Sequence, residues 1–176
     1  HYEVKNPEII TVSAKGKVTS LASGSTSVTI YSKDGNSKKT VRVKVAEGTI
    51  RTTTKGNVKG TKSSDAASLI WYGIPYGAST GETNRWKAPQ PVSAWSGTWN
   101  ARIPKSGAAC YGDGTNYQGT EDCLYVNIYR PNTTEKNLPV MVYLHGGGNA
   151  SGTANTDFSK FAVAAKVVVV SVEYRL

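Results

Sequence analysis

Polar and apolar residues alternate with a period of two along residues 9–46, the pattern of half-buried strands. It predicts strands at 9–13, 16–21, 26–31 and 40–45. Asp34-Gly35-Asn36 between the last two predicts a hairpin turn. Short strands separated by Gly, Ser and Asn turns point to a β-sandwich. Glu47-Gly48-Thr49 reads as a linker, because the texture changes at Ile50. Gly and Pro become frequent there, and Trp71, Trp86, Trp95 and Trp99 all follow. Further strands are predicted at 123–129, 139–144 and 167–174. The last two are almost purely apolar, which predicts cover on both faces in an α/β sheet. Residues 157–165 form the one convincing helix, with Asn155 or Thr156 as its cap. Strand, Gly-rich loop, helix and strand make a right-handed crossover unit. The fold class expected is α/β over residues 48–176, preceded by a partial all-β sandwich over residues 1–47.

Charge changes this picture little. The net charge is +9. Residues 1–60 hold 11 Lys/Arg and 4 Asp/Glu, a net of +7, and the remainder holds 10 and 8, a net of +2. A nucleic-acid face would interleave its cations with stacking aromatics. The basic third has only Tyr2 and Tyr31, and its lysines alternate with Thr, Ser and Val as on solvated strands. Nucleic-acid binding is therefore not expected; attraction to anionic cell-wall polymers fits the same charge. No apolar run reaches the ~20 residues of a membrane span. The longest candidate, 161–172, is broken by Lys166. The chain opens on His1-Tyr2-Glu3 with no signal-peptide pattern, so it is expected to be cut from something longer.

The two cysteines, Cys110 and Cys123, can be a disulfide, two free thiols or half a metal site. With His1 and His145 as the only histidines, no metal is expected. The interval between the cysteines is rich in Gly, Asn and Asp and suits a closed loop. A disulfide there would contribute roughly 3 kcal/mol and imply an oxidising compartment.

The chemistry centres on His145-Gly146-Gly147-Gly148, at the C-terminal end of an apolar strand. Ligands of open α/β sheets collect at that end. Three glycines take every Cβ out of the path, so backbone N–H groups can turn toward a ligand. A tetrahedral acyl-transfer intermediate needs such donors aimed at its oxyanion, and HGGG loops have this role in lipases and esterases. His145 reads as a residue that shapes the loop. Gly77-Ala78-Ser79-Thr80-Gly81 has the G-x-S-x-G spacing of a nucleophile elbow. An elbow needs a core helix after it, and the prolines at 89 and 91 forbid one, so Ser79 is not expected to be a nucleophile.

Glu121-Asp122-Cys123-Leu124-Tyr125-Val126-Asn127-Ile128-Tyr129-Arg130-Pro131 resembles a signature of the type-B carboxylesterases and cholinesterases. Gly73-Ile74-Pro75-Tyr76, Arg85-Trp86, Pro89, Pro91, Trp95-Ser96-Gly97 and the glycine loop follow the family order, over about residues 50–176. Asn6-Pro7-Glu8-Ile9, Gly16-Lys17-Val18-Thr19 and Val41-Arg42-Val43-Lys44-Val45 resemble the second half of a bacterial Ig-like repeat of group 2.

The first resemblance implies the N-terminal part of an α/β-hydrolase sheet and ester hydrolysis through a serine acyl-enzyme, with no cofactor. Gly147 and Gly148 would supply oxyanion N–H groups, Gly146 and His145 would shape the loop, and Cys110 and Cys123 would form the family's first disulfide. Asn149 stands where the family has an aromatic residue, and Glu173 where it has Asn. The serine, acid and histidine of the triad are absent, so this chain alone is expected to be inactive and poorly stable. The substrate expected of the parent is a small-molecule or glycan-linked ester. The parent is expected to be secreted or held at the cell surface, attached through the Ig-like part. The alternative is a non-catalytic surface-binding or adhesion protein on an esterase-like scaffold.

Overall fold

Alternating residues at the N-terminus pair into two small antiparallel sheets. The computed structural model describes residues 1–21, 24–45, 48–108, 110–111 and 117–176, with Cys110, Tyr111 and Tyr117 described by their backbone only. The described chain divides into two units, His1–Gly48 and Thr49–Leu176.

In the first unit, β2 (Ile10–Val12), β3 (Val18–Ser20), β4 (Gly24–Tyr31) and β5 (Lys38–Val45) fall at the four predicted strands, and β1 (Tyr2–Val4) is an additional one. Strand β4 lies between β1 and β5, and β2 pairs with β3. Thr26 and Val28 alternate inward on β4 and are buried, as is Ile10. Val18, Leu21, Ile30 and Val41 remain exposed, so this unit has a thin core. Gly35 takes a φ of 74° in the predicted turn between β4 and β5.

The second unit contains β6 (Ile50–Thr53), β7 (Gly56–Lys59), β8 (Thr61–Lys62), β9 (Ser68–Pro75), β10 (Thr98–Asn100), β11 (Cys110–Tyr111), β12 (Tyr117–Gln118), β13 (Tyr125–Pro131), β14 (Val140–Leu144), α1 (Ser159–Ala165) and β15 (Val168–Val172). Its main sheet has the order β14-β15-β13-β9-β8. Strands β14 and β15 are parallel, and the other neighbours are antiparallel. Strand β13 starts at Tyr125 rather than 123.

On one face Ile70, Tyr129 and Val169 pack with Ala162 of α1. Fully burying side chains of this size stabilises by about 1.5–3 kcal/mol each. On the other face Leu69 and Trp71 pack with Val58 and Ala101, and Trp95 and Trp99 close over them. The small sheet β10-β7-β6 carries part of that cover. The indole N–H groups of Trp71, Trp95 and Trp99 donate to the carbonyls of Thr49, Asn57 and Gly73, which lets these rings be buried.

This second layer stops short of β14. Val140, Val142 and Leu144 are 63%, 61% and 64% exposed. The cover predicted on both faces of 139–144 is therefore not found among the described residues. Strand β14 is an edge, with β15 as its one neighbour among the described residues. In β15, Val169 and Ser171 are buried and the alternate residues are half-buried. The helix also starts later than predicted, at Ser159, with Phe158 in the cap position and no side-chain cap. Asn155 and Thr156 face the sheet instead. Asn155 Oδ1 accepts from Asn127 Nδ2, and the Thr156 carbonyl accepts from the Tyr129 hydroxyl. Lys166, at a φ of 53°, closes the helix in the left-handed conformation.

Candidate functional site

The parallel register of β14 and β15 builds the site. Leu144 lies opposite Val172, so the next residues, His145 and Glu173, emerge side by side at the carboxyl ends of two adjacent strands. Both are buried. His145 Nε2 lies 3.3 Å from Glu173 Oε1. The approach does not meet hydrogen-bond geometry, and Nε2 has no hydrogen-bond partner among the described residues. Nδ1 lies 2.9 Å from the Gly146 carbonyl oxygen. The imidazole stacks on Tyr174, with centroids 4.3 Å apart, and the Tyr174 hydroxyl donates to the His145 carbonyl.

The glycines after His145 are not equivalent. Gly147 has a φ of 131°, and a Cβ there would collide with the Ser151 carbonyl. Gly148 has a φ of 63° with open space around it, and Gly146 is unconstrained on both counts. The Gly147 carbonyl accepts from the N–H groups of Ala150 and Ser151, which closes the loop on itself. Among the described residues none accepts from the N–H of Gly146, Gly147 or Gly148. All three glycines are exposed. Asn149 continues the left-handed turn at a φ of 58°.

A polar cluster holds this loop from behind. Asn127 Oδ1 accepts from Gly73 N at 2.8 Å, and its Nδ2 donates to the Ala154 carbonyl at 3.1 Å. Ser171 Oγ donates to the same carbonyl. Glu173 Oε2 accepts from Thr153 Oγ1 and Ala154 N, both at 2.9 Å. Glu173, Tyr174, Thr153 and Gly152 were not singled out as site residues by the sequence. For Glu173 the one signal was its departure from the family's Asn.

Ser79 lies outside this cluster. It is exposed, its Oγ accepts from Gly81 N, and a three-residue 3₁₀ turn, Glu82–Asn84, follows it instead of a core helix. Cys123 is a buried thiol, pushed up in pKa by that burial, with Thr80 Oγ1 at 4.0 Å. The Cys110 side chain lies outside the described residues. Among the described residues no group of His, Cys, Asp and Glu is arranged to hold a metal. No helix among them is long and apolar enough to cross a membrane.

Comparison with known proteins agrees with this architecture. The pattern of the Carboxylesterase family matches residues 45–176, and that of the Bacterial Ig-like domain (group 2) matches residues 1–43. Para-nitrobenzyl esterase of Bacillus subtilis (strain 168) is 39% identical over 136 residues, covering 72% of this chain and 27% of that protein. Esterase E4 of Myzus persicae is 38% identical over 123 residues, covering 59% of this chain and 20% of that protein. The solved structure of carboxylesterase EST55 of Geobacillus stearothermophilus superposes with a TM-score of 0.65 at 30% identity, covering 73% of this chain and 26% of that one. The chain thus spans between a fifth and about a quarter of the length of these relatives. Its main sheet is part of the α/β-hydrolase fold that these esterases have. The chain belongs to the carboxylesterase family, with a bacterial Ig-like segment of group 2 ahead of it.

Proposed function

We propose that this chain carries the oxyanion-binding half of a carboxylic ester hydrolase that works through a serine acyl-enzyme. The observation that carries the reading is the pair of free N–H groups on Gly147 and Gly148, at the carboxyl ends of two adjacent parallel strands. Such donors act on the charge that develops as a carbonyl becomes tetrahedral, and removing one costs about 10²–10³ in kcat. Gly146 and His145 shape the loop that presents them. The nucleophile, its acid and its histidine are not among these residues: Ser79 has no histidine beside it, and His145 is engaged with Glu173.

The test uses the natural reading frame that contains these residues, assayed on a short-chain aryl ester. We expect turnover that a serine-directed phosphonate abolishes, and a Gly147→Ala variant, whose Cβ collides with the Ser151 carbonyl and so displaces the N–H it keeps, that loses kcat by up to about 10²–10³. A folded full-length protein with no turnover would refute the reading in favour of a binding scaffold. The 176 residues alone should show no phosphonate-sensitive turnover.

The same reading gives the protein an extracellular setting, supported by the Ig-like segment. It pairs Cys110 with Cys123 in a disulfide. Intact mass measured with and without reductant tests the pairing, which predicts a gain of two hydrogens on reduction. Attachment to a cell wall through the Ig-like segment and a glycan-linked ester substrate belong to this proposal, supported by the basic charge of residues 1–60.

A further inference from the structure

Glu173 is a hub. Its Oε1 accepts from Ala108 N at 3.2 Å and faces His145 Nε2 at 3.3 Å. Its Oε2 accepts from Thr153 Oγ1 and Ala154 N. Its backbone N–H donates to the Tyr125 carbonyl, and its own carbonyl accepts from the Tyr76 hydroxyl. A carboxylate with 6% side-chain exposure is tolerated only when it is paired and hydrogen-bonded. Here three donors from two loops and a histidine on the neighbouring strand meet that need.

We propose that Glu173 is a positioning residue for the oxyanion loop, acting through His145. The route runs through one peptide plane. The Gly146 carbonyl and the Gly147 N–H belong to the same trans peptide unit and point in opposite directions. Whatever orients that carbonyl therefore aims that N–H. The carbonyl lies 2.9 Å from His145 Nδ1, and the ring is held between Tyr174 on its face and Glu173 at Nε2. Gly152 lets the ring sit this close, because a Cβ there would collide with both the imidazole and the Gly146 carbonyl. Both ring nitrogens face acceptors, the Gly146 carbonyl at Nδ1 and the Glu173 carboxylate at Nε2. The inference rests on the reading of Gly147 as an oxyanion donor.

His1 and His145 are the only histidines, so ring-nitrogen NMR of the isotope-labelled chain resolves His145 cleanly. In Glu173→Gln the His145 ring-nitrogen resonances should move, and the Gly147 amide should shift and lose picosecond-to-nanosecond order. In Thr153→Ala, which removes a donor from the far oxygen of the same carboxylate, both signals should stay near wild type. Should Glu173→Gln fail to fold, Glu173→Asp, which keeps the carboxylate but shortens its reach to His145, decides: a Gly147 amide that stays at its wild-type position overturns the proposal. So does a Gly147 amide that moves as far in Thr153→Ala as in Glu173→Gln. No ester enters these spectra, so this inference and the hydrolase reading can fail separately.

Discussion

Alanine placed at each loop glycine in turn should give three different outcomes. At Gly146 the backbone is open to an L residue and nothing lies within 4 Å of a Cβ. Gly146→Ala should be neutral or stabilise by up to about 1 kcal/mol, by restricting the unfolded chain. At Gly148 space is open but φ is 63°, and a left-handed alanine costs about 1–2 kcal/mol. At Gly147 a φ of 131° coincides with a collision against the Ser151 carbonyl. That carbonyl is backbone in a closed turn and cannot swing aside as a side chain would. Overpacking adds about 1–3 kcal/mol, so Gly147→Ala should cost about 2–5 kcal/mol if the loop keeps its shape. Urea unfolding of the 176-residue chain followed by tryptophan fluorescence reads the correct unit, because Trp71, Trp86, Trp95 and Trp99 all lie within Thr49–Leu176. Amide shifts at Ser151 report rearrangement of the loop in place of lost stability. Equal midpoints for all three variants, with unmoved Ser151 amides, would refute the steric reading of the loop.

Asn127→Ala should destabilise by about 1–3 kcal/mol, since the buried Gly73 N–H loses its acceptor; an unchanged urea midpoint would contradict this. Val169→Ala should cost about 2 kcal/mol or more, whereas Val142→Ala on the bare face should stay within about 0.5 kcal/mol. Similar losses at the two positions would mean that the outer face of β14 is covered in solution. Burial pushes up the Tyr76, Tyr125 and Tyr129 phenols. The unfolded chain releases these protons first, from about pH 10. Above that value it binds fewer protons than the folded chain, so stability falls as pH rises. Urea midpoints measured up to about pH 11 should therefore decline, and a flat profile would show that these groups ionise without penalty.

Local pattern was readable wherever a strand has one wet face. Residues 26–31 and 40–45 alternate because one side of each meets solvent, and the strands appear there. Ser68–Pro75 was missed as a strand for the opposite reason. Leu69, Ile70 and Trp71 are buried in succession, so its sequence shows no period, although it lies inside the main sheet. Residues 139–144 misled in a third way, since Val140, Val142 and Leu144 have the composition of covered positions and nothing among the described residues covers them. Asn155 looked like a cap because its chemistry suits one, but Asn127 on β13 claims its side chain, and Tyr129 holds the Thr156 carbonyl, so the helix starts only at Ser159.

The site divides along the same line. A glycine run after an apolar strand is a local signal, and it marked residues 145–148 correctly as a turn free of side chains. The different demands on Gly147 and Gly148 come from a φ value and from Ser151, which spacing does not encode. Glu173 is harder still, because its role exists only through a register. His145 and Glu173 are 28 positions apart in sequence, and they meet because β14 and β15 run parallel with Leu144 opposite Val172. A slip of β14 by one residue on β15, which is itself paired with β13, would turn His145 to the bare face and leave Glu173 without it. The buried polar pair therefore penalises a slipped register. The His145–Glu173 contact thus serves the sheet, by fixing how β14 docks on β15, and the loop, by fixing where the Gly147 N–H points.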